Sequence, residues 1–262
     1  MEQLVIDTHN GVRTLTLNRP ERMNAINDDL SSKIERALAE ASSDDEVRVV
    51  VITGKGRAFC AGLDLADLDM KKLSGVNRQE RLDDLGWVGR QALGIVHCDK
   101  PVIAAINGVA AGAGFALALA CDMRFMSSSA RVTTGYIRRG LSPDAGMSYF
   151  LPRLVGQTRA AEMIFTGREV LADEAERIGL INGVFSDEEF NERVMEFARE
   201  LASGPPIALT LSKRLLTESL ETDLATLLKQ EFSSIKFCFG TNDVREGIQA
   251  FLEKRKPNFR GE

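Results

Sequence analysis

Between residues 47 and 185 the chain alternates short, strongly apolar runs with longer stretches whose apolar residues recur at helical spacing. Val47 to Thr53, Val102 to Val109, Asp122 to Met126 and Leu180 to Phe185 each read as a buried strand. Strands separated by helices are joined by crossovers, so this alternation predicts an α/β architecture. Ahead of it, Leu4-Val5-Ile6 and Val12 to Leu17 flank Asn10-Gly11, a strong hairpin signal. Asn27 or Asp28 then caps a helix that carries Leu30, Ile34, Leu38 and Ala41 on one face. From Asp187 onward the pattern is helical only: Glu188 to Ala202, Ile207 to Ser219, Leu224 to Phe239 and Val244 to Lys254. A helical tail of that length must cover either the α/β body or another subunit. Asp67 to Asp84, charged and holding Gly75 and Asn77, reads as a loop before a helix over Leu85 to Val96.

The chain has 262 residues, 44% of them hydrophobic, enough for one large core with an appendage. Its net charge of -5 lacks the basic footprint of a nucleic-acid binder, and Lys254-Arg255-Lys256 reads as a solvated helix end. Cys60, Cys98, Cys121 and Cys238 show no metal or redox spacing, which fits buried free thiols in a reducing compartment. With two histidines, His9 and His97, a histidine-rich metal site is poorly supported. His9 falls in the hairpin and His97 at a helix end. The N-terminus has acidic residues where a signal peptide is basic, and no run reaches the length of a membrane span, so a soluble cytoplasmic protein is expected.

Two stretches share a design in which a buried strand ends, small residues follow and a helix begins. One is VITGKGRAFCAGLDL, residues 51–65; the other is INGVAAGAGFALAL, residues 106–119. Gly112-Ala113-Gly114 continues as Phe115-Ala116-Leu117, without the third glycine of a dinucleotide fingerprint, and neither stretch ends in the Gly-Lys-Ser/Thr of a P-loop. Free N–H groups at a helix start can instead donate to an anionic oxygen, and glycines let a ligand approach. Two such donors would form an oxyanion hole. The alternative is that these glycines serve turns and close packing.

FCAGLDL followed some fifty residues later by INGVAAGAGFALALACD resembles the crotonase superfamily, the enoyl-CoA hydratase/isomerase family. The likeness extends through LTLNRPERMNAIN, KPVIAAINGVAAGAG, GLSPDAGMSYFLPRLVG, AERIGLINGVF and the closing GIQAFLEKRKPNFRGE. It implies a spiral of ββα turns over residues 1–195 that carries the acyl-CoA site. Residues 196–262 would form an all-helical region for packing and assembly, as a homotrimer or a dimer of trimers. The substrate implied is an acyl-CoA thioester, coenzyme A being its carrier, with no permanently bound cofactor or metal. Its thioester oxygen would accept hydrogen bonds from the N–H groups of Leu63 and Ala113, with small residues such as Gly112 admitting it. Ala61, Gly62, Leu63, Asp64, Leu65 and Ala66 would lie along the pantetheine and adenine portions.

An enolate mechanism also needs a base near the α-carbon. The resemblance places the two glutamates of the family's hydratases at Ala116 and Tyr136, so both are missing and the two-glutamate route to hydration is in doubt. Ala116 and Tyr136 become candidate pocket residues. The remaining carboxylate is Asp144, in Ser142-Pro143-Asp144-Ala145-Gly146. By itself that run reads as a helix start, capped by Ser142. Within the family it resembles the epoxyphenylacetyl-CoA isomerase-like branch, which uses an aspartate here. One carboxylate suits a 1,3-proton shift, so isomerisation is expected ahead of hydration, with an acyl-CoA-binding protein without catalysis as the further alternative.

Overall fold

The computed structural model describes residues 2–66 and 82–262. The expected loop therefore falls, over residues 67–81, outside the described residues, as does the helix expected after the first glycine-rich stretch.

Strands β1 (Leu4–His9) and β2 (Val12–Leu17) form the expected antiparallel hairpin, with Asn10 and Gly11 both at positive φ. Helix α1 (Asp28–Ser43) follows, and its N-cap Asn27 accepts the Leu30 N–H at 3.0 Å. Next come β3 (Val49–Gly54), β4 (Ala58–Cys60), α2 (Gly86–Val96), β5 (Val102–Ile106), β6 (Val109–Ala111) and α3 (Ala113–Ala120). They are followed by β7 (Met123–Ser127), β8 (Arg131–Thr133), α4 (Met147–Val155) and α5 (Gln157–Thr166). The body ends with β9 (Glu169–Leu171), α6 (Ala172–Arg177), β10 (Gly183–Phe185) and α7 (Phe190–Ala202). Helices α8 (Pro206–Glu218), α9 (Leu224–Phe239) and α10 (Asn242–Glu253) complete the chain.

The strands build two sheets, one ordered β1-β2-β3-β5-β7-β10 and the other β4-β6-β8-β9. Successive pairs β3/β4, β5/β6 and β7/β8 each give one strand to each sheet, so every turn of chain advances both sheets by one parallel strand. This spiral corrects the single strand read over Val102 to Val109, which breaks at Asn107-Gly108 and changes sheet. Asn107 stitches two turns together: its side chain accepts the Gly54 N–H and donates to the Gly56 carbonyl. A Cβ on Gly108 would collide with the Arg57 carbonyl.

Alternation explains the unbroken apolar run in β3. Val50 and Ile52 enter the main core under the helices, whereas Val49 and Val51 join Phe190, Val194 and Ala198 of α7 on the opposite face. Residues 195 and 196, the expected division, thus lie inside a helix that packs on the large sheet. Beyond it, α8 is anchored by the buried Lys213, whose ammonium pairs with Asp122 at 2.8 Å and donates to the Ile95 and Lys100 carbonyls. Helix α9 buries no residue against the rest of the chain, and Leu224, Leu228, Phe232, Phe237 and Phe239 are exposed. Among the described residues no helix is long and apolar enough to cross a membrane.

Candidate active site

The two glycine-rich stretches meet. After β4 the chain runs beside residues 23–26: Ala61 N–H donates to Met23, Ile26 N–H to Gly62 at 2.7 Å, and Asp64 N–H to Ile26 at 2.9 Å. In this parallel bridge between Ile26 and Leu63, the bonds use the groups on either side of Leu63. The Leu63 N–H therefore points away from Ile26. On the facing stretch, Ala113 opens α3, where a first-turn N–H has no acceptor one turn earlier. A Cβ on Gly62 would stand 2.7 Å from the Ala111 oxygen and 3.3 Å from the Ala113 nitrogen, which shows how closely the two loops abut.

Protein contacts account for the glycines. Gly62 (φ +94) and Gly112 (φ +52) hold backbone conformations that side chains disfavour, and a Cβ on Gly114 would strike the Cys60 carbonyl and sulfur. Turns and close packing, the alternative use of these glycines, are thus present at all three positions. They let the two N–H-bearing segments come together.

A third loop joins them. Gly112 N–H donates to Thr133, and a Cβ on Gly135 would lie 3.9 Å from the Gly112 nitrogen, so Tyr136 follows directly beside the start of α3. Tyr136 is buried, with its hydroxyl donating to Asp144 Oδ1 at 2.6 Å. Burial, reinforced by that hydrogen bond to a carboxylate, pushes the phenol well above its ordinary range. The phenol is a donor at neutral pH and not a base. Asp144 itself is exposed.

The helix read from Ser142-Pro143-Asp144 begins later, at Met147, with Gly146 as N-cap and no side-chain cap from Ser142. Ala145 (φ +53) and Gly146 (φ +80) intervene in left-handed conformations, closed by a Met147 N–H bond to the Asp144 carbonyl at 2.9 Å. Left-handed geometry at an alanine costs roughly 1–2 kcal/mol. This turn keeps Asp144 out of the helix, with its carboxylate on Tyr136.

Ala116 is fully buried in α3 and has no exchangeable proton. Cys60 is also core, and burial pushes its thiol up to about 12. In the expected coenzyme A stretch, Leu65 and Ala66 are exposed and Ala61 half-buried. The Asp64 carboxylate is buried, pairs with Arg19 at 2.8 Å and accepts the Ala66 N–H at 3.1 Å, so this side chain faces inward. Arg19 and its neighbour Asn24 were missed by chemical reading of the sequence, although both lie in the LTLNRPERMNAIN motif. His97 ends α2 through its backbone, and Trp87 packs on the main core.

Beside Gly146 opens a cavity of about 630 Å³, enclosed by α2, the end of α3, α4 and α8. Leu93, Val96, Leu119, Phe150, Leu154 and Leu216 give it apolar walls. Leu63, Ala113, Tyr136 and Asp144 do not line it; Gly146, two residues past Asp144, connects it to the third loop.

The sequence model of a family described as enoyl-CoA hydratase/isomerase matches residues 7–262. Crotonyl-CoA hydratase of Syntrophomonas wolfei is 37% identical over 260 residues, covering 98% of each chain. The 1,2-epoxyphenylacetyl-CoA isomerase of Escherichia coli is 36% identical over 266 residues, covering 100% of this chain and 99% of its own. The crystal structure of an enoyl-CoA hydratase from Bacillus anthracis superposes with a TM-score of 0.91 at 35% identity, covering all of both chains.

Proposed function

The chain belongs to the enoyl-CoA hydratase/isomerase family, and on that premise we propose that it isomerises an acyl-CoA ester through a thioester enolate, with Asp144 as its single acid and base. The N–H groups of Leu63 and Ala113 would hold the thioester oxygen, where negative charge develops. For a 3-enoyl ester, Asp144 would take a proton from C2, the electron pair moving into the carbonyl to give a dienolate. Delivery to C4 of a proton from the Asp144 carboxyl, which is exposed and can exchange with solvent, would leave a 2-enoyl ester with no water consumed.

The observation that carries this reading is the 2.6 Å hydrogen bond from Tyr136 to Asp144. A neutral phenol stands where hydratases of the family would carry a carboxylate, and it grips the one carboxylate on the third loop. The exposed residues Leu65 and Ala66 would follow the coenzyme A carrier, and the cavity beside Gly146 would take the acyl tail. The apolar face of α9 would meet further copies of the chain, as a trimer or a dimer of trimers. Four unpaired cysteines support a reducing, cytoplasmic setting.

Hydration is the second reading, because a hydroxyl and a carboxylate in one hydrogen bond could also position water. Parallel assays on a 3-enoyl-CoA and on crotonyl-CoA separate the two. Faster conversion of the 3-enoyl ester is expected. Hydration that predominates and survives Asp144→Asn would overturn the isomerase reading, and binding without turnover of any ester would leave a binding protein.

A further inference from the structure

The inward-facing Asp64 follows Leu63 directly, and its surroundings form a closed polar network under the first donor loop. Arg19 is buried and donates to the Ala25 carbonyl at 2.5 Å as well as pairing with Asp64 Oδ2. Asn24, fully buried, accepts the Arg19 N–H through its side-chain oxygen at 2.9 Å. Its amide nitrogen donates to the Lys55 and Ala58 carbonyls at 3.0 and 2.8 Å, on both sides of the turn that leads into β4. Asp64 takes the Ala66 N–H on its other oxygen and fastens its own N–H to Ile26. Burial by itself pushes the Asp64 carboxyl up, but the Arg19 guanidinium and the Ala66 N–H outweigh it and hold it below the usual carboxylate range.

Buried ion pairs contribute little net stability compared with well-packed apolar groups, because desolvation offsets attraction. What this pair does uniquely is geometric. Asp64 locks the residue after Leu63 in two directions at once, toward Arg19 and toward the 23–26 segment, and an oxyanion donor is effective only while held at its working geometry.

We propose that Arg19 and Asp64 are positioning residues for the Leu63 N–H, acting on thioester polarisation without touching the substrate. The proposal rests on the assignment of that N–H to the thioester oxygen.

The test uses a chromophoric aryl-enoyl-CoA, whose absorption band shifts to the red when its carbonyl is polarised, together with steady-state kinetics. Asp64→Asn keeps the side-chain volume and an acceptor for Ala66 while removing the charge. It is expected to fold, to bind the ester with KM within about threefold of the parent, to lose most of the red shift, and to lose about tenfold to a hundredfold in kcat, less than removing a donor outright. Arg19→Lys, which keeps the charge but not the fork, is expected to retain part of both, and it carries the test if Asp64→Asn does not fold. Variants that fold, bind and show the parent's red shift and kcat would overturn the positioning role while leaving the oxyanion assignment standing. A parent that binds the ester with no red shift at all would overturn both.

Discussion

Tyr136 donates its hydroxyl proton to Asp144 Oδ1 across 2.6 Å, from a phenol that is buried to a carboxylate that is exposed. A hydrogen bond to a charged group contributes about 1.5–3 kcal/mol. In Tyr136→Phe the aspartate keeps its place in the chain but loses the group that orients it. The expected outcome is a fall in kcat of about tenfold to a hundredfold with KM nearly unchanged, measured on the best isomerisation substrate. An unchanged kcat would show that the phenol does not orient the base.

The same phenol gives a pH signature. Tyr136 and Tyr149, the two tyrosines of the chain, both hold their protons more tightly than an ordinary phenol with a value of 10.0, Tyr136 through burial and Tyr149 through its bond to Glu221. Above about pH 10 the unfolded chain releases protons that the folded chain retains, so the contribution of these two phenols to stability is constant below that value and falls as pH rises through it. Ultraviolet titration should show little phenolate at pH 10 in the native protein and about half-ionisation in denaturant. Tyr136→Phe should flatten the alkaline decline in stability.

Close packing between the two donor loops predicts a contrast between glycines. Gly114→Ala drives a methyl into the Cys60 carbonyl, whereas Gly140, at positive φ, has open space around it. Overpacking of this kind costs about 1–3 kcal/mol or more, so Gly114→Ala should lower the melting temperature by roughly 3–10 °C. Gly140→Ala should lower it by less, through backbone strain alone.

Much of this was legible in the sequence. Asn10-Gly11 announced the hairpin and Asn27 the cap of α1, because both act through neighbouring backbone. The change of sheet at Asn107-Gly108 was not, since a short apolar strand reads the same whether it ends in one sheet or passes into the next. Family likeness singled out Leu63, Ala113 and Asp144, but local pattern misled at Ser142-Pro143-Asp144, where two left-handed residues delay the helix by a turn. Asp64 and Arg19 are 45 residues apart in the chain, and their pairing follows from the tertiary fold that sets residues 23–26 against the first donor loop.

Acyl-group preference should respond to the cavity beside Gly146. Ala92 lines it on α2, and Ala92→Trp would place an indole in its 630 Å³. The expected result is a selective loss of kcat/KM on long or aryl acyl esters, with four-carbon esters nearly unaffected. Equal loss on both would place the acyl tail elsewhere.

The most direct measurement of the central claim is proton exchange at the α- and γ-carbons of bound acyl-CoA esters in deuterium oxide, in the parent and in Asp144→Asn, because exchange reports enolate formation whatever the final product. The account predicts deuterium uptake by the parent at both carbons of a 3-enoyl ester, and its loss by at least about a hundredfold in the variant. Exchange that continues at the parent rate without the Asp144 carboxylate would contradict it.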